Sequence, residues 1–259
     1  MRSSLPKVLH AVAGRTLLSH VVHAAHGLRP ERLIAVVGHG RELVTEHLTA
    51  TDPDAIAVVQ EQQNGTGHAV RLALSAIDAA EGVVVVLSGD SPLVTQETLL
   101  TLVAEHAMQG NAATVLSAVV DDPTGYGRML TEGGELTAIR EHKDATEAER
   151  RATLCNAGLM ALDGRVALSI LDAIGCENAQ KEFYLTDAVA IARARGLRAA
   201  VAIAPEAEVM GSARALALEI AANAPLAIQA AKRMMRMAWN EPFNEHVHHV
   251  FLQLLPLMQ

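Results

Sequence analysis

From Arg15 to Ala204 the chain alternates between apolar segments of two kinds. One kind repeats at helical spacing, and the other is a short unbroken run. Thr16–Gly27 reads as a helix with Leu17, Leu18, Val21, Val22 and Ala25 on one face. His20, His23 and His26 fall toward the other face. Three-residue His spacing also suits a metal site, but a solvated helix face is the reading taken. Leu33–Val37 is predicted as a strand, Arg41–Ala50 as a helix, Ile56–Gln60 as a strand and Ala69–Ala79 as a helix. Val83–Leu87 is wholly apolar and predicts a strand buried on both faces, as in a parallel sheet. A helix over 96–109 and a strand over 112–120 follow. This rhythm predicts an α/β fold with a parallel, three-layer sandwich.

The pattern changes at Asp121–Asp144, which is glycine-rich. Short strands at Arg128–Leu130 and Leu136–Arg140 predict a hairpin laid over the sheet. Asn156–Leu162 is then a strand, Arg165–Ile174 and Glu182–Arg195 are helices, and Ala199–Ala204 is a last strand. Beyond Gly211 the pattern is helical throughout, over Ser212–Asn223, Leu226–Trp239 and Phe243–Leu254. Ser212 is placed as an N-cap and Pro225 in a first turn. Two units result: residues 1–211 and a short helical C-terminal tail, 212–259.

Composition narrows the class. Half of the 259 residues are hydrophobic but 2% are aromatic, so Ala, Val, Leu and Ile build the core. The net charge of −8 argues against non-specific binding to nucleic acid or anionic membranes. No apolar run approaches the ~20 residues that span a bilayer. Cys155 and Cys176 lack metal-ligand spacing and read as free thiols in a reducing cytoplasm.

The chemistry concentrates at strand ends, where open α/β sheets bind ligands. Asp90 follows the Val83–Leu87 strand in Ser88-Gly89-Asp90-Ser91-Pro92. Its carboxylate either holds Mg²⁺ against substrate phosphates or caps the next helix. Gln60 ends a strand, and its amide can read the edge of a base such as uracil. Gly65-Thr66-Gly67 opens a helix and lets a ligand approach the backbone. Lys7 offers a positive charge to phosphates or is a solvated terminal residue. Gly125-Tyr126-Gly127-Arg128 is a turn that covers a ligand or merely closes a hairpin. Glu141 and Asn156 suit sugar hydroxyls or an acetamido group, though each is uninformative alone.

Together these segments resemble the uridyltransferase domain of bifunctional N-acetylglucosamine-1-phosphate uridyltransferase/glucosamine-1-phosphate acetyltransferases. The likeness is carried in order by Pro6-Lys7-Val8-Leu9-His10, Gly38-His39-Gly40, Gly65-Thr66-Gly67-His68-Ala69 and Gly89-Asp90-Ser91-Pro92-Leu93. Gly125-Tyr126-Gly127-Arg128, Glu141-His142-Lys143-Asp144, Asn156-Ala157-Gly158 and Tyr184-Leu185-Thr186-Asp187 continue it. The resemblance implies a Rossmann-like nucleotidyltransferase that makes UDP-N-acetylglucosamine and pyrophosphate from UTP and N-acetylglucosamine 1-phosphate. It implies Lys7 at the UTP phosphates, and Gln60, Gly65 and Thr66 at the uracil. Ser88, Gly89 and Asp90 would line the nucleotide site, with Asp90 a Mg²⁺ ligand. Gly127, Glu141, Asn156 and Thr186 would hold the amino sugar.

Two departures accompany the likeness. The family's glycine-rich loop, roughly L-A-A-G-x-G-T-R-M, precedes the segment matched by Arg2–His10, and Met1 falls on its last residue. Ser212, Ala213 and Arg214 stand where the family has a V-N-N-like segment whose Asn is a second metal ligand. The tail instead resembles the C-terminal helices of enoyl-CoA hydratases, through Ile220–Ala227, Ala231-Lys232-Arg233 and Glu241-Pro242-Phe243. In that family such helices mainly pack subunits, so self-association through the tail is an expectation. The alternative to an active uridyltransferase is an impaired nucleotide-sugar-binding remnant or fusion product. Acyl-CoA chemistry is disfavoured, since no crotonase catalytic residue can be placed.

Overall fold

A computed structural model describes residues 5–78 and 80–203. The tail predictions, and Ala213, lie outside the described residues. The chain opens with a 3-10 turn, Lys7–Leu9, and a short antiparallel pair, β1 (Ala11–Val12) and β2 (Arg15–Thr16). Then come α1 (Leu17–His26), β3 (Ile34–Val37), α2 (Arg41–Thr51), β4 (Ile56–Val59), α3 (Thr66–Ser75) and β5 (Val83–Val86). α4 (Gln96–Gln109), β6 (Ala113–Val119), β7 (Arg128–Glu132), β8 (Glu135–Arg140) and β9 (Leu154–Asp163) follow. The last elements are α5 (Gly164–Asp172), α6 (Asp187–Ala194) and β10 (Ala199–Ile203).

Local chemistry sets the helix boundaries. Thr16 and Thr95 cap α1 and α4 by accepting from Ser19 N and Thr98 N, and Asp163 caps α5 by accepting from Arg165 N. Gly110 ends α4 in the left-handed conformation. In α1, Leu18, Val21, Val22 and Ala24 are buried while His23 and His26 are exposed; His20 is half-buried with its Nε2 2.8 Å from Val12 O, and His26 pairs with Asp52, so only part of the expected solvated face is observed.

The α/β class is observed, and the expectation of a parallel sheet needs correction. β10 and β6 are parallel, but β9 runs antiparallel to both β6 and β5. β3 and β4 form a separate parallel pair. Hydrophobic runs report burial and carry no information about strand direction. The 128–140 hairpin is antiparallel as predicted, but it extends the sheet through Arg128 opposite Cys155. β5 is also less buried than a strand enclosed on both faces, and Val83 is exposed. α4 and α5 cover it, yet among the described residues it pairs with β9 alone, leaving one edge open.

Two predicted helices start elsewhere. α3 begins at Thr66, three residues early, with Gly65 at its N-cap holding φ 102°. α6 begins at Asp187, five residues late. The Asn178 side chain draws in the preceding segment: its Oδ1 accepts from Gln180 N and Glu182 N, and its Nδ2 donates to Glu182 O. That leaves fewer backbone groups for a helix.

The main core is built from α3, α5 and α6 against the sheet, with Val115, Leu162, Ile170 and Val189 at its centre. A second cluster joins α1 and α4 through Ala24, Leu99 and Leu102. A third joins α1, α2 and β3 through Leu18, Val22, Val37 and Leu48. Among the described residues no helix is long and apolar enough to cross a membrane.

Candidate active site

Several of the eleven residues singled out in the sequence are joined pairwise, partly through Gly158 and Leu185. At one end the turn after β5 carries Ser88, Gly89 and Asp90, closed by Ser91 N donating to Ser88 O. Lys7 Nζ donates to Asp90 Oδ2 at 2.5 Å, bringing the 3-10 turn against it. Both side chains remain accessible, at 64% for Lys7 and 36% for Asp90. The pair therefore contributes little stability and is open to exchange partners with a ligand.

Ser88 faces the middle of β9. A Cβ on Gly158, which has φ +80°, would sit 3.7 Å from Ser88 Oγ. Gly158 N donates to Asn156 Oδ1 at 2.9 Å, and Asn156 N donates to Gly127 O at 2.9 Å. Gly127 in turn lies against Glu141: a Cβ there would meet Ile139 Cγ2 at 3.2 Å and Glu141 Oε1 at 3.4 Å. Glu141 Oε1 accepts from the buried Thr186 hydroxyl at 3.1 Å.

The segment before α6 ties this group to α3. Leu185 N donates to Thr66 Oγ1 at 3.2 Å, Gly67 N to Phe183 O at 2.8 Å, and Phe183 N to Asn64 O at 2.8 Å. Gly65 cannot be another residue without displacement, because a Cβ would lie 2.7 Å from Phe183 O. Gln60 Nε2 reaches back to Gly65 O at 3.1 Å. A cavity of about 370 Å³ opens beside Gln60, bounded by Gly38–Glu42, Glu61 and Gln63. Its cation, Arg41, is already paired with Glu61 at 2.7 Å.

Burial pushes the Glu141 carboxyl up, reinforced by Asp144 and Asp187 and opposed by the Thr186 hydrogen bond. Asp187 is raised as well, mainly by burial. This end of the arrangement favours neutral hydrogen-bonding partners over further anions. The Lys7–Asp90 end carries the exposed cation. Among the described residues no group of three or more His, Cys, Asp or Glu is arranged to hold a metal ion.

Two side chains in the arrangement were quoted in motifs but given no role. Arg128 is 1% exposed and, among the described residues, meets no carboxylate at hydrogen-bond distance. Its guanidinium donates to Tyr126 O and Arg150 O and to His142 Nδ1, pinning the turn that carries Gly127. His68 touches Gln60 through Nδ1. An arginine directly after a glycine turn, and a histidine two residues after Thr66, are weak signals by themselves.

The MobA-like NTP transferase domain profile matches residues 1–154. The chain belongs to that family. A bifunctional protein GlmU from Streptomyces coelicolor is 52% identical over 207 residues, covering 79% of this chain and 43% of that protein. One from Bradyrhizobium sp. is 51% identical over 211 residues, covering 82% and 47%. The chain thus spans less than half the length of these curated relatives. Crystal structures of UDP-glucose pyrophosphorylase, apo and with UDP-glucose, superpose with a TM-score of 0.58. They are 17% and 18% identical, covering 76% and 75% of this chain and 82% and 81% of theirs. At that identity they establish the nucleotidyltransferase fold for the MobA-like domain and nothing finer.

Proposed function

We propose that this NTP transferase domain joins UTP and N-acetylglucosamine 1-phosphate into UDP-N-acetylglucosamine and pyrophosphate. The observation that carries the reading is a set of contacts among these segments: Lys7 with Asp90, Asn156 with Gly127, Glu141 with Thr186, Leu185 with Thr66, and Gln60 with Gly65. It links a base-reading amide, an exposed cation–carboxylate pair and a hydrogen-bonding patch suited to an amino sugar. The roughly 50% identity to bifunctional GlmU proteins over four-fifths of the chain supports the same substrates.

In the reaction a phosphate oxygen of the sugar phosphate attacks the α-phosphorus of UTP in line. The new O–P bond forms as the bond to the β-phosphate oxygen breaks, and pyrophosphate leaves with that electron pair. No protein nucleophile is needed, so positioning and charge neutralisation supply the rate. Lys7 holds the triphosphate, Gln60, Gly65 and Thr66 hold uracil, and Glu141, Asn156, Gly127 and Thr186 orient the sugar. Ser88 and Gly89 shape the floor between them.

The donor set fits Mg²⁺ delivered with the nucleotide. Asp90 offers one accessible hard carboxylate, and this ion is commonly held by one or two carboxylates plus substrate phosphates and water. When bound, Mg²⁺ supplies charge neutralisation between the two anionic substrates. A pyrophosphate-release assay tests the proposal. Wild type should release pyrophosphate with UTP and the sugar phosphate, and Asp90→Ala should abolish the metal-dependent step. Undiminished turnover in Asp90→Ala refutes the metal assignment, and Gln60→Ala with unchanged uridine selectivity refutes the base assignment.

A further inference from the structure

Gln60 Nε2 has two neighbours at hydrogen-bond distance, Gly65 O at 3.1 Å and His68 Nδ1 at 3.0 Å. A backbone carbonyl oxygen can only accept. The Gln60 atom facing it must therefore be the amide nitrogen, because the reverse orientation would set oxygen against oxygen. That same nitrogen is the atom beside His68, so Nδ1 of His68 accepts and its ring proton resides on Nε2. Both amide protons of Gln60 are then engaged, one by Gly65 O and one by His68 Nδ1. Among the described hydrogen bonds Oε1 is the amide atom left for a ligand, and Gln60 borders the cavity.

The position of His68 is itself fixed. It stands in the first turn of α3, whose start is set by Gly65, and its ring lies 6.1 Å from that of Phe183 at 40°. Phe183 is held through its backbone to Asn64 and Gly67. The His68 acceptor is thus presented by the same wall that holds Thr66.

We infer that His68 is a specificity-positioning residue: it locks the Gln60 amide so that an acceptor faces the base. An acceptor pairs with the N3–H of uracil and meets the lone pair of cytosine N3 unfavourably. A site that must leave a polar group unpaired rejects the wrong ligand strongly. The inference rests on the uridine-nucleotide reading above and adds the residue that sets the base preference.

The test has two arms on the 259-residue chain. Long-range ¹H–¹⁵N spectra of the free protein read the His68 tautomer without any ligand. The Nε2–H form is expected, and an Nδ1–H form overturns the inference. Titration calorimetry with UTP and with CTP then compares wild type, His68→Phe and His68→Asn. Phe keeps the ring packing and removes the acceptor, so the UTP:CTP affinity ratio should fall at least about tenfold. Asn places an acceptor near the former Nδ1 and should restore most of the ratio. A ratio unchanged in His68→Phe overturns the inference and leaves the uridine reading standing. A wild type that binds both nucleotides equally, or neither, overturns both. Packing loss alone would weaken both nucleotides together and leave the ratio unmoved.

Discussion

Replacing Gly65 with Ala probes the joint between the base-reading and sugar-holding groups. Gly65 has φ 102° and ψ 173°, a region that side chains scarcely occupy. Holding a non-glycine residue there costs about 1–3 kcal/mol. The added Cβ would also stand 2.7 Å from Phe183 O, 2.9 Å from Phe183 N and 2.9 Å from Glu182 Cβ. Two of those atoms are backbone and cannot swing aside, so overpacking adds about 1–3 kcal/mol. Partial relaxation leaves about 2–4 kcal/mol, against a typical domain stability of about 5–15 kcal/mol. At an m-value of about 2 kcal/mol per M, the urea midpoint followed by circular dichroism should fall by about 1–2 M. Gly175→Ala is the control: nothing lies within 4 Å of its Cβ and its φ is not left-handed. That variant should match wild type or gain up to about 1 kcal/mol. A Gly65→Ala midpoint equal to wild type would falsify the claim that a strained glycine clamps this joint.

Three further outcomes follow from single contacts. Arg128→Met should lose about 2–4 kcal/mol in the same urea titration, since the Tyr126 and Arg150 carbonyls lose a charged donor; Arg128→Lys should recover part of it, and an unchanged Met variant contradicts the pinning role. Glu141 has a folded pKa raised above the ordinary 4.5, so the folded state holds its proton more tightly and the associated stability is lost as pH rises through the raised value. Glu141→Gln should therefore gain in urea midpoint relative to wild type as pH goes from 4 to 8, and a gap that stays constant refutes the burial argument. His106 is 3% exposed and burial lowers its pKa, so its contribution is present at neutral pH and is lost on acidification from 6.5 downward. A His106→Gln variant should flatten that part of the stability profile; an unaltered profile removes His106 as a cause.

How far the sequence reached depends on the kind of signal. Periodicity places the helices but does not name their caps, Thr16, Thr95 and Asp163, which act on groups two or three residues away. Apolar runs located the strands, but direction is decided by pairing. β9 turned the expected parallel sheet into a mixed one by running between β6 and β5. The late start of α6 follows from the Asn178 turn and from Phe183 bonding across to Asn64 and Gly67. Those partners lie more than a hundred residues away, so no local pattern announces them. The candidate site residues were legible as an ordered series of motifs. Their connections were not: the Thr66–Leu185, Glu141–Thr186 and Asn156–Gly127 contacts exist only in the fold. In sequence Arg128 falls in a turn with no role of its own, and it is among the most buried side chains described.

The central claim is that one connected site recognises a uridine diphosphate sugar. Its most direct test is a thermal melt of the chain with and without UDP-N-acetylglucosamine and Mg²⁺. A ligand that binds the native state alone, at 100 times its Kd, adds about 2.7 kcal/mol. For a domain of this size that raises the Tm by about 5–10 °C. The account predicts that rise, smaller for UDP alone than for the full nucleotide sugar, and reduced in Glu141→Ala to the UDP value. An unmoved transition at saturating UDP-N-acetylglucosamine contradicts it.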